Sequence, residues 1–229
     1  ENGHLKKYPL QEISLDASYE NGIVTINRFY GQQNAGKVAA RGTWNRHGAV
    51  DMEISTEGID ASMLADIMDY NVNVRGTMNA YAKISGTADS PQADVSFEVD
   101  NGGVRTTTFD KMTGLLNLQK GIINVRQILM NKGEYKISAN GKIPLIALKA
   151  APWEMLAQYD QIDLNISLDN ADISVLPLLS KHVEWATGAL KGGLKITGTL
   201  AHPLFNGTLK MTDGAMKIKD RKSTRLNSS

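Results

Sequence analysis

A motif that occurs twice at a fixed distance constrains this chain more than any other feature. Gly76 to Gly102 reads G-x6-K-I-S-G-T-x3-P-x10-G, through Lys83, Ile84, Ser85, Gly86, Thr87 and Pro91. Gly188 to Gly214 repeats it with Thr for Ser, through Lys195, Ile196, Thr197, Gly198, Thr199 and Pro203, each 112 residues from its counterpart. Asp51, Ile54, Asp60, Ser62 and Leu64 recur at the same spacing as Asp163, Ile166, Asp172, Ser174 and Leu176. Upstream the spacing falls to 99, where Gly22, Lys37 and Gly42 match Gly121, Lys136 and Gly141. The 13-residue difference is an insertion between Ile143 and Ile162, near residues 144–161. A duplication of this kind predicts an array of one β-rich unit instead of a single catalytic domain. The first unit spans residues 1–99 and the second 100–211, and a third begins at 212–219.

Residues 220–229, DRKSTRLNSS, fall outside the repeat and coincide with the translation of a sequencing-adapter oligonucleotide, so they read as a non-native tail. Without Arg221, Lys222, Arg225 and Asp220, the 25 basic and 24 acidic residues become 22 and 23. No basic face for nucleic acid is implied. The chain lacks cysteine, which excludes disulfides and thiolate metal sites. No apolar run reaches the roughly 20 residues of a transmembrane helix.

Within each unit the residues alternate with period two, the pattern of strands with one apolar face. Ile162, Leu164, Ile166 and Leu168 oppose Asp163, Asn165 and Ser167; Val50, Met52 and Ile54 oppose Asp51, Glu53 and Ser55. Val95/Phe97/Val99, Ile13/Leu15/Ala17, Val24/Ile26, Ile123/Val125 and Leu209/Met211 follow suit. Asn21-Gly22, Asn101-Gly102, Asn140-Gly141, Asn206-Gly207 and Asp213-Gly214 read as hairpin turns, giving a long antiparallel meander. A helix capped by Asp60 runs to Tyr70, with Leu64, Ile67 and Met68 on one side. Its counterpart starts at Ser174, because Pro177 fits only a first turn. A third short helix starts at Pro152 in the insertion, with Trp153, Leu156 and Ala157 together. It covers a sheet edge, or acts as a lid or membrane contact. With no second layer to cover the apolar faces, the sheet either curls into a closed core or forms an open trough.

Alternating strands, a D-x3-L-x2-[I/L] helix, the K-I-[S/T]-G-T-x3-P motif and a closing [N/D]-G together resemble TamB and its AsmA-like relatives, over essentially Glu1 to Lys219. The resemblance implies a mainly β fold, an elongated curved antiparallel sheet or β-taco with an open groove, built from about two repeats of 100–112 residues with short interspersed helices. It further implies a place in the periplasm of a diderm bacterium, with the intact protein anchored in the inner membrane. The implied function is carriage of phospholipids along an apolar groove toward the outer membrane. An Omp85-type outer-membrane partner, and through it a role in outer-membrane protein assembly, are implied through regions outside this chain. On that reading the groove wall includes Val50, Met52, Ile54, Val95, Phe97, Val99, Ile162, Leu164, Ile166, Leu209 and Met211, and its ligand is the phospholipid acyl chain.

No enzyme, cofactor or metal site is expected. Asp51 and Asp60 recur as Asp163 and Asp172, and a catalytic carboxylate pair has no reason to be copied into each unit. His4, His47, His182 and His202 lack metal-site spacing. Gly188-x3-Gly192-Gly193 lacks the Gly-Lys-Ser/Thr of a phosphate loop. Lys83 and Lys195 are repeated strand positions, read as structural cations or, less simply, as contacts to a lipid phosphate. The competing reading is a structural or adhesive secreted β-solenoid, although such proteins use repeats of roughly 20–30 residues.

Overall fold

A computed structural model describes residues 3–5, 8–45, 48–67, 73–87, 89–104, 107–145, 161–172, 183–199 and 202–218. The strands are β1 (Gly3–Leu5), β2 (Tyr8–Glu20), β3 (Ile23–Gln33), β4 (Gly36–Asn45), β5 (Ala49–Asp60), β6 (Val74–Thr87) and β7 (Pro91–Val104). After them come β8 (Thr107–Gln119), β9 (Ile122–Lys132), β10 (Tyr135–Pro144), β11 (Asp163–Asp172), β12 (Val183–Gly198) and β13 (Pro203–Ile218). Each pairs antiparallel with the next, so sequence order is also spatial order in one 13-stranded sheet. The sheet is elongated and open: β1 forms one edge and β13 the other. Twelve intervals of about 4.8 Å give the stack a length of about 58 Å.

The repeated motif has one conformation in both copies. Gly86, next to last in β6, has φ 94°, and Gly198, last in β12, has φ 85°. A Cβ at either position would strike the carbonyl oxygen of Ser90 or His202. The following threonine closes the turn: Thr87 Oγ1 accepts the Ser90 N–H at 3.2 Å, and Thr199 Oγ1 the His202 N–H at 3.0 Å. Proline then opens the next strand. The G-T-x3-P spacing is thus a hairpin device, with glycine supplying positive φ and threonine a hydroxyl acceptor.

Asn21-Gly22 is a tight turn between β2 and β3, with both residues at positive φ. The other four expected turns lie inside strands: Asn101-Gly102 in β7, Asn140-Gly141 in β10, and Asn206-Gly207 and Asp213-Gly214 in β13. At Asn101, φ 49°, the β6–β7 register shifts opposite Gly76, and the Phe109 ring lies over Gly102. A second shift lies between Ala139 and Gly141. These are bulges that bend a continuing strand, a use that Asn-Gly shares with turns.

One helix, α1 (Ala61–Ile67), joins β5 to β6. The Ser62 N–H donates to Asp60 Oδ1 at 2.8 Å, the cap expected from the sequence. The helices expected from Ser174 and Pro152 fall outside the described residues. The main core gathers Leu10, Ile59, Ala61, Met63, Met78, Val99 and Phe109, with α1 lying on the sheet. A smaller core of Leu168, Ala171 and Leu190 lies on β11 and β12.

Candidate functional site

Residues paired across antiparallel strands point to the same face, so the register shows which side chains share a surface. Starting from Ile54, one row runs Leu15–Phe29–Ala40–Ile54–Ala82–Val95–Leu116–Val125–Gly141–Leu164–Ile196–Phe205, without interruption from β2 to β13. No member is polar. The row through Met52 is parallel to it and contains Ile26, Ile84, Ala93, Leu118, Ile123 and Ile143. On its other side lies a row through Val38, Thr56, Ala80, Phe97, Ile128, Ile166 and Leu194. A fourth row holds Ile59, Met78, Val99, Met112, Met130, Ile137, Leu168 and Leu209.

The opposite face is polar along the same strands. Arg41, Glu53, Lys83, Asp94, Asn117, Asn124, Lys142 and Asp163 succeed one another from β4 to β11, their charges alternating on either side of the asparagines. Arg41 Nε donates to Glu53 Oε2 at 2.7 Å, and Asn117 Nδ2 to Asp94 Oδ1 at 3.0 Å. The hydrogen bond from Arg41, helped by the charges of Arg41 and Lys83, holds the Glu53 carboxyl below its ordinary value. Lys195 Nζ lies 3.3 Å from Asp163 Oδ1. Both repeated lysines therefore belong to this polar face, away from the apolar rows, with Lys83 in register between Glu53 and Asp94.

Val50, Met52, Ile54, Val95, Phe97, Val99, Leu164, Ile166 and Leu209 all fall on the apolar face. Val50 pairs with Trp44 there, and Ile162 is buried just before the strand that carries Leu164. Met211 pairs with Leu190 along the backbone; its side chain lies outside the described residues. The Phe97 ring lies against Gly114, which leaves room for it because it has no Cβ. Sequence patterning overlooked the intervening strands, with Ala82, Leu116 and the methionines at 78, 112 and 130. Ile84 and Ile196, the isoleucines of the doubled motif, were the available signal, because each lies in an apolar row.

Most wall residues are half-buried, and the row beside α1 is more deeply buried than the opposite side of the face. In that row Ile59 and Val99 are 3% and 4% exposed, whereas Trp44, at the other side of the face, is 50% exposed. Thr56 is the one polar side chain in its row between Val38 and Leu194, and its buried hydroxyl has no hydrogen-bond partner. Among the described residues no cluster of His, Asp and Glu is arranged to hold a metal ion. Among them, too, no helix is long and apolar enough to cross a membrane.

No curated protein and no solved structure matches the chain. A family model described as TamB, N-terminal domain, matches residues 6–211, nearly the whole sheet. The chain belongs to the TamB family of bacterial envelope proteins.

Proposed function

We propose that this sheet is a length of conduit in which phospholipid acyl chains move along the apolar face, within a protein that spans the envelope toward the outer membrane. The observation that carries the reading is the row from Leu15 to Phe205, which crosses twelve strands without a polar side chain. An acyl chain in water costs about 0.8 kcal/mol per CH2. A wall that offers aliphatic contact at every strand keeps that cost low at each step, so movement needs no tight pocket. The two repeat units, residues 1–99 and 100–211, are on this reading successive lengths of one wall. Support for outer-membrane biogenesis and protein assembly, through an Omp85-type partner and regions outside this chain, belongs to the same proposal.

A photo-crosslinking residue at Met52 or Leu164, both half-buried on the apolar face, tests it. Phospholipid adducts identified by mass spectrometry are expected at both positions in membranes, and none at Asn165 on the polar face. Absence of adducts at Met52 and Leu164 would favour a structural β-solenoid without transport.

A further inference from the structure

The apolar face is sealed on one side and open on the other along its first strands. On β5 the inward residues run from half-buried Val50, Met52 and Ile54 to buried Ile59, and the chain then turns into α1. Ala61 and Met63 of α1 pack with Ile59, Met78, Val99 and Phe109, and Met63 is only 2% exposed. This side is therefore filled by the protein's own side chains. On the other side, Tyr19, Val24 and Trp44 are paired neighbours on β2, β3 and β4. Tyr19 is 67% and Trp44 50% exposed. Farther along the sheet the same side is covered, since Ile123 and Ile162 are buried.

We propose that an acyl chain enters between β2 and β5 from the Tyr19–Trp44 side, and that α1 is the stop that limits how deep it goes. The glycerol end lies beside the two aromatics and the methyl end points toward Met63. This rests on the lipid-conduit reading and adds to it an orientation and an entry point. Tyr and Trp suit the polar end because each joins a broad apolar ring to one hydrogen-bonding group. The length also fits. Val50 to Thr56 covers about 20 Å of strand, and one leaflet of a bilayer's hydrocarbon core is about 15 Å thick, half of about 30 Å. A chain of that length lies within the half-buried stretch, and the packed core at Ile59 closes the way beyond it.

The test uses the whole chain with Trp153 and Trp185 replaced by Phe, so that Trp44 alone fluoresces. The protein is mixed with phosphatidylglycerol vesicles containing phosphatidylcholine that carries a doxyl quencher, either near the glycerol or near the chain's methyl end. The protein is then separated from the vesicles, and its retained lipid is measured by mass spectrometry. Stronger quenching of Trp44 by the glycerol-side doxyl is expected. In a second protein with Trp44→Phe and Phe97→Trp added, the order should reverse, because position 97 is nearer to α1. Equal or inverted quenching at Trp44, with lipid retained, overturns the orientation and leaves the conduit standing. Absence of retained lipid overturns both.

Discussion

Thr56 sets a hydroxyl in an apolar row where no partner reaches it, and a buried unpaired polar group costs about 1–3 kcal/mol. Replacing it by Val keeps the shape and removes the unpaired group. Thr56→Val is therefore expected to stabilise the sheet by about 1 kcal/mol, read as a higher urea midpoint at unchanged slope. A lower midpoint would mean that the hydroxyl has a partner in solution. On the polar face, Glu53 shows the opposite situation, because the Arg41 hydrogen bond favours its charged form. A carboxyl whose folded pKa is lowered contributes stability above its ordinary value of 4.5, and loses it as the pH falls through the lowered value. The pair is exposed, so the effect is small. Glu53→Gln should lower the neutral plateau slightly and leave the acid end unchanged, which flattens the acid side of the stability–pH curve, as measured by thermal unfolding across that range.

The elements show how much of the fold the sequence encodes locally. Period-two alternation marks β5, β7 and β11 because one face is apolar and the other solvated. Asp60 marks the start of α1 because an N-cap needs a side-chain acceptor. The Asn-Gly pairs were ambiguous for a physical reason: positive φ serves a bulge as well as a turn, and what decides is whether a partner strand continues alongside. Strand β7 runs on past Asn101 with β6 and β8 still alongside, so the chain does not turn there; Asn21 follows the last residue of β2, and the chain does turn. The position of α1 on the core was likewise hidden, because Met63 meets Leu10, Val99 and Phe109 only after the strands have assembled. A seven-residue helix is marginal in isolation, so its stability comes from that packing. Met63→Ala is expected to cost about 2–5 kcal/mol, and Asp60→Ala about 1 kcal/mol through the lost cap. Equilibrium urea unfolding checks both. Similar losses from the two would place the helix's stability in its cap instead of its packing.

Across the whole molecule, the two faces of one strand permit a comparison that separates function from stability. Val95 and Ser96 are consecutive on β7; Val95 lies in the long apolar row, and Ser96 on the polar face between Tyr81 and Leu115. Both are half-buried, so a carboxylate at either position is partly hydrated. The conduit reading gives them different consequences. Val95→Glu sets a charge where acyl chains would slide, and a methylene stream beside an ionised group loses both its contact and the group's hydration. Ser96→Glu places the same charge on a surface already carrying Glu98 and Asp94. Bound phospholipid, measured by mass spectrometry after purification from membranes, is therefore expected to fall sharply for Val95→Glu and to stay near the unmodified level for Ser96→Glu. Circular dichroism of both proteins establishes that the sheet persists. Val95→Gln separates charge from polarity and should give an intermediate loss. If lipid falls equally for the two glutamates while the sheet remains intact, the long row is a structural seam and the acyl chains travel elsewhere.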